Sequence, residues 1–269
     1  MEPPTYLANK NPHPRDKCIT FDEGPHIYTI NGDSDFMSVT TWNHSHFEHF
    51  DADKIIDKMM MGRGWSPASK YWGMSKDEIK KLWADNGKKA SEAGTKMHYD
   101  IECYYNDMDI EVEPDCIEWN YFEKFEEEIG EEKKPFRTEW MVWDDELKFA
   151  GSIDMTYINP DGTIDIYDWK RSVGIKKENR WRSSTTKCIK HLPDSNFWHY
   201  SLQLNTYKAL LEKNYGVKVK DMYLVCLHPN NENKSYQRIK VADLEKEVKD
   251  LFDLRRKMLN KELKSVISK

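Results

Sequence analysis

The chain has 269 residues and a formal net charge of −6, with ten Trp and fourteen Tyr. That length suits one large domain or a domain with sizeable additions, and the aromatic content excludes a disordered chain. The acidic balance weighs against a uniformly basic nucleic-acid coat but leaves room for a local basic cleft, and no apolar run is long enough for a membrane span.

The opening "MEPPTYLANKNPHP" has neither an apolar signal core nor an Arg-rich amphipathic pattern, so an intracellular protein is expected, with no membrane partner. "HIYTINGDSDFMSVT" reads as a short β element with an Asn-Gly turn. "DADKIIDKMM" has a helical pattern, and "GRGWSPASKYWGM" reads as a loop. "SKDEIKKLWADNGKKASEAGTKMHYDIECYY" reads as one or two helices, opened by a capping box of Ser75 and Glu78. A further helix covers "CIEWNYFEKFEEEI".

"FRTEWMVWDDELKFAGSIDMTYINPDGTIDIYDWK" then reads as three strands turned by "DDEL" and "NPDG". A basic loop runs from Arg171 to His191, and "NFWHYSLQLNTYKALLEKNYG" is a helix ending at Gly216. "DMYLVCLHP" is a buried strand, and a charged helix closes the chain. This order predicts an α/β fold of the α+β type: a central mixed sheet flanked by helices. Residues 1–86 are expected to form an extension packed on a core of residues 87–269.

The chemistry concentrates in three places. Asp168 and Lys170 are two apart on a strand and leave it on one face. Asp154, on the preceding strand, can approach Asp168; two such carboxylates repel unless a cation lies between them, and an oxygen-ligated divalent ion is the natural one. His98 and Glu102 are four apart on a helix and share a face, with the imidazole suited to Mn²⁺. Gly94, just before them, is expected to let the helix start approach another backbone. His199, Gln203 and Tyr207 form a stripe that can meet phosphate and stack on bases. His44, His46 and His49 lie close together, but without a Cys partner or regular spacing they do not define a zinc site.

Taken together, Gly94 to Glu102, Gly151 to Asp154, Asp168 to Lys170 and Gln203 to Tyr207 resemble the ordered motifs of the PD-(D/E)XK nuclease superfamily in its RecB-like branch. The first ninety residues are similar to the N-terminal part of nucleases from large DNA viruses and phages, and the mitochondrial genome maintenance exonuclease shares the motifs. The resemblance implies a restriction-endonuclease-like core and Mg²⁺- or Mn²⁺-dependent hydrolysis of DNA in replication, repair or recombination. It also implies that His98, Asp154, Asp168 and the Trp169 carbonyl hold metal and that Lys170 is the catalytic lysine. Glu102 would support the site, and Gln203 and Tyr207 would orient the strand.

Arg171 stands where the family often has Thr. Five scattered cysteines, odd in number and without a CxxC pair, predict reduced thiols and no iron–sulfur cluster. The basic loop offers Arg171, Lys176, Lys177, Arg180 and Arg182 around Trp181, a pattern suited to single-stranded DNA. Trp65, Tyr71 and Trp72 could wall the other side. RNA in place of DNA and endonuclease in place of exonuclease action remain open from sequence, as does a non-catalytic nucleic-acid-binding module.

Overall fold

The computed structural model describes residues 4–130 and 132–267, the last three by backbone alone. Helix α1 (Tyr6–Lys10) and a 3₁₀ turn (Pro14–Cys18) lead into the antiparallel strands β1 (Ile19–Asp22) and β2 (Ile27–Ile30). The Asn-Gly turn follows: Asn31 and Gly32 have φ of 51° and 86°, and Ile30 and Asp33 exchange backbone hydrogen bonds of 2.8 and 2.9 Å. Positive φ at both turn residues is what Asn-Gly tolerates. Next come β3 (Met37–Ser38), α2 (Val39–His44), α3 (Ala52–Met60) and α4 (Lys76–Tyr105). The capping box holds at the start of α4: Glu78 N donates to Ser75 Oγ, and Ser75 N donates to Glu78 Oε2. The expected one or two helices are a single helix of 30 residues.

α5 (Ile117–Phe125) ends in a π turn and is followed by β4 (Lys134–Asp144), β5 (Phe149–Ile158) and β6 (Ile164–Lys170). α6 (Asn196–Asn214), β7 (Val219–Cys226), β8 (Gln237–Lys240) and α7 (Glu245–Ile267) complete the chain. The three strands read between residues 134 and 170 are present with their turns, whereas the short β8 is an addition. Among the described residues no helix is long and apolar enough to cross a membrane.

The result is an α/β fold with a six-stranded mixed sheet flanked by helices. Two cores lie on it. One gathers Trp140, Ile164, Ile166, Leu202, Tyr207 and Leu251 beneath α6 and α7. The other gathers Met97, Ile101, Phe122, Phe125, Tyr167 and Trp169 beneath α4 and α5. Alternation along β6 therefore divides its side chains: Ile164 and Ile166 enter the first core, and Tyr167 and Trp169 the second.

Residue 86, where the extension was expected to meet the core, lies inside α4, and the N-terminal segment supplies β3 to the main sheet and Val39, Trp42 and Phe47 to its core. One sequence expectation needs correction. Gly94 lies in the interior of α4, and nothing stands within 4 Å of where its Cβ would be, so it is not the site of a close backbone approach.

The sheet positions the chemistry by coming apart. β5 pairs with β4 along its whole length. On its other edge it pairs with β6 only from Met155 to Ile158, and with β3 only at Phe149 and Ala150. Residues 151–154 of that edge have no partner strand. β6 meanwhile follows β7 in parallel to its end, Lys170 opposite Cys226. The two strands that bear Asp154 and Asp168 thus part between those residues, in a fork that leaves the β5 edge unpaired from 151 to 154.

Candidate metal centre at the sheet fork

Gly151 starts the unpaired stretch for a steric reason. A Cβ there would stand 2.8 Å from the Tyr207 hydroxyl and 2.9 Å from its ring. Tyr207 is 3% exposed and belongs to the core, so α6 is seated directly against β5. Three residues on, Asp154 Oδ2 accepts a 2.9 Å hydrogen bond from the Trp169 amide, which ties the two arms of the fork.

His98 comes to the fork from α4. Its Nδ1 lies 3.5 Å from Asp154 Oδ2 and 3.8 Å from Glu139 Oε1. Glu139 stands opposite Asp154 in the antiparallel register, between the pairs Thr138–Met155 and Trp140–Ile153. Its φ is +39°, a strained value for a non-glycine strand residue, and its Oε2 accepts a 2.7 Å bond from Ser152 Oγ. One donor atom from each of His98, Glu139 and Asp154 fits within 4.8 Å of the other two, the single such grouping among the described residues. One imidazole nitrogen and two carboxylates form a donor set that suits Mn²⁺ or Mg²⁺.

Asp168 was expected among the ligands, but its closest approach is to Lys170: Nζ lies 2.6 Å from Oδ2. That contact lacks the angle of a directed hydrogen bond, leaving Oδ2 buried without a well-placed donor. Lys170 also rests 4.7 Å above the Tyr200 ring. Trp169 is 1% exposed and packed in the second core, and it is its amide N–H that reaches the fork through Asp154.

The charges respond to each other. Burial raises the Asp154 pKa to about 7, reinforced by Asp168 and opposed by His98 and Lys170. Burial works against the His98 imidazolium, but Asp154 and then Glu139 hold its pKa up at about 9. Burial and Glu139 push Glu102, one turn further along α4, to about 8. Burial acts to raise Glu139, yet hydrogen bonding and charge from His98 keep it below the usual carboxylate range. Lys170 stays firmly charged, because Asp168 and Asp154 overcome its desolvation. Burial and close opposite and like charges are the means by which catalytic and metal-binding clusters displace their titrations.

The expected substrate residues separate. Gln203 is half-buried beside Tyr207, which as a core residue cannot stack on a base. His199 shares a 2.9 Å hydrogen bond at Nε2 with Asp194 Oδ1, and its ring centre lies 3.9 Å from that of Phe47. Arg171 is paired with Glu118 at 2.7 Å. Lys176, Lys177, Arg180, Trp181 and Arg182 are all exposed. On the proposed opposite wall, Trp65 and Trp72 lie 5.7 Å apart, and the Tyr71 hydroxyl accepts from Trp83 Nε1.

The three early histidines do not converge. His46 is buried, bonded to Thr186 and lowered to about 4 by desolvation, whereas His44 and His49 are exposed. Glu139 is the residue that sequence reading overlooked. Counting back from the Asp144–Phe149 pair that closes the "DDEL" turn puts it opposite Asp154, so the signal was present. Comparison of the chain with protein-family models and with curated proteins finds no match.

Proposed function

We propose that this chain is a metal-dependent nuclease with a PD-(D/E)XK-type site, acting on DNA as an exonuclease that prefers single strands. The observation that carries this reading is the fork itself: an imidazole, two adjoining carboxylates and a charged lysine converge where two strands part. His98, Glu139 and Asp154 would hold Mg²⁺ or Mn²⁺, with Asp168 at the fork behind them. The cation, when bound, supplies positive charge to the phosphodiester oxygens in the transition state.

The chain's own residues do the remaining work. Lys170 donates from Nζ to a phosphate oxygen or to a water aimed at phosphorus, and its charge is secured by Asp168. His98 must give up its proton to serve as a ligand, which its carboxylate neighbours resist until a cation competes. Glu102, kept protonated near neutrality, limits the negative charge beside Glu139. Exposed Trp72 and Trp181 offer faces on which unpaired bases can stack.

The test is a gel assay with labelled linear single strands, closed single-stranded circles, duplexes and RNA, each with Mg²⁺, Mn²⁺ or EDTA. Asp154→Asn serves as control. Metal-dependent shortening of linear DNA, absent in the control, is expected. Rapid cutting of circles would replace the exonuclease with an endonuclease, and preferred cutting of RNA would change the substrate. No cleavage of any substrate with either metal would overturn the reading.

A further inference from the structure

Trp181 is 92% exposed, far more than any other Trp that the chain presents, and its neighbours are Arg180 and Arg182. An indole left in water this completely is ordinarily on a mobile tip, but here the backbone beneath it is held. Asn179 Oδ1 accepts hydrogen bonds from the amides of both Trp181 and Arg182 at 3.1 Å. Asn179 Nδ2 donates to the Asp194 carbonyl at 2.6 Å, and the Asp194 amide donates to the Arg182 carbonyl at 3.0 Å. Ser183 and Pro193 form a β-bridge next to this, and Ser184 and Thr185 are anchored on the His46 carbonyl. On the other side, Trp198 Nε1 and Ser195 Oγ both donate to the Lys177 carbonyl. The ordering entropy of this loop is therefore met within the protein before any ligand arrives.

The same loop is keyed to Lys170. Asp194, which receives Asn179 on its carbonyl, holds His199 with its carboxylate. The next residue on α6 is Tyr200, whose ring lies under the Lys170 ammonium. A polar hollow lined by Ser172, Lys176, Glu178, Asn179, Asp194 and Asn196 brings the residues that follow β6 together with the Asn179–Asp194 brace of this loop. The guanidinium groups are free to change partner: Arg180–Glu178 and Arg182–Glu48 are exposed contacts of 3.7 and 3.6 Å.

We infer that Trp181 is a preorganised stacking platform for one unpaired base of a nucleic-acid strand, with Arg180 and Arg182 on the flanking phosphates, held at a fixed offset from Lys170. This rests on the fork acting on nucleic acid. A π face accepts any base, and the paired arginines complement a phosphate backbone, which favours this occupant over an apolar protein surface. Trp181 is a positioning residue: it sets where the strand lies and takes no part in bond breaking.

The experiment measures binding of fluorescent single-stranded DNA in EDTA, so that cleavage does not enter. Trp181→Ala should weaken binding by about tenfold or more, and Trp181→Tyr should restore most of it. An oligonucleotide series with one abasic position moved along the strand should contain one member that weakens wild-type binding by a similar factor but leaves Trp181→Ala unaffected. Arg180→Gln with Arg182→Gln should flatten the salt dependence, whereas Trp181→Ala should leave its slope unchanged. Equal binding by wild type and Trp181→Ala, or equal loss at every abasic position in both, overturns the platform. A nuclease whose cleavage is intact with Trp181→Ala and whose binding is unchanged would refute this inference alone. The abasic signature in a protein that cuts nothing would sustain it while refuting the catalytic reading.

Discussion

The Tyr207 hydroxyl occupies the space in which any side chain at residue 151 would begin, 2.8 Å from the position of a Cβ. The contact joins α6 to the unpaired edge of β5, three residues before Asp154. Tyr207 is fully enclosed and cannot swing aside, so Gly151→Ala forces either the helix or the strand to move. Overpacking of this kind costs about 1–3 kcal/mol. Thermal or urea unfolding should show that loss, together with reduced activity because Asp154 shifts with its strand. An unchanged unfolding midpoint would mean that the two elements are not rigidly seated.

Lys170 and Asp168 are predicted to behave as a pair in stability and as individuals in activity. Lys170→Ala leaves the buried Asp168 carboxylate without its cation, which should destabilise the chain by about 3–5 kcal/mol. Adding Asp168→Asn should recover much of that loss. Cleavage should fall by about a thousandfold or more in each single variant and should stay low in the double variant. Recovery of both properties together would remove Lys170 from the chemistry.

Divalent metal should bind in competition with protons. Asp154, Glu102 and His98 have folded pKa values of about 7, 8 and 9, each above its usual value of 3.8, 4.5 or 6.5. Each group therefore contributes stability that is complete below its unfolded value and is lost as pH rises through its folded value. Glu139 shifts the other way, and its contribution is already present above the ordinary glutamate range. In EDTA the melting temperature should fall from about pH 4 to 9 through this cluster, from the lowest unfolded to the highest folded value, and the increment given by Mg²⁺ or Mn²⁺ should grow from about pH 6 to 9, where the folded ligands lose their protons. A metal increment independent of pH would place the cation elsewhere.

His98→Ala and Glu139→Gln should each raise the metal concentration needed for half-maximal activity. Mn²⁺ should rescue His98→Ala better than Mg²⁺, because it binds the remaining ligands more tightly. Asp165→Asn is a fitting control, since that carboxylate is paired with Lys133 on another part of β6. Equal titrations for the His98 variant and wild type would show that the imidazole does not touch the ion.

Much of the frame was legible because it is local. Asn31-Gly32, the Ser75–Glu78 box and the two turns around β5 are each specified within a few residues. The shared faces of Asp168 with Lys170 and of His98 with Glu102 follow from strand and helix periods. What escaped depends on long-range placement. Glu139 sits in the aromatic run "FRTEWMVW", and although counting across the turn sets it opposite Asp154, its left-handed backbone and the unpaired edge of β5 that exposes the pair depend on the rest of the sheet. Tyr207 shares a helical stripe with His199 and Gln203, and periodicity cannot tell whether such a stripe faces a ligand or a strand carrying Gly151. Arg171 looked free because Glu118, its partner, is 53 residues away.

The left-handed backbone at Glu139 has an evolutionary corollary. A non-glycine residue in that region costs about 1–2 kcal/mol, and glycine would relieve it at once while removing a carboxylate from the fork. A library selected for heat resistance alone should therefore accumulate glycine at this position, whereas one selected for turnover should keep the acid. Position 139 is where the two pressures pull the same codon in opposite directions.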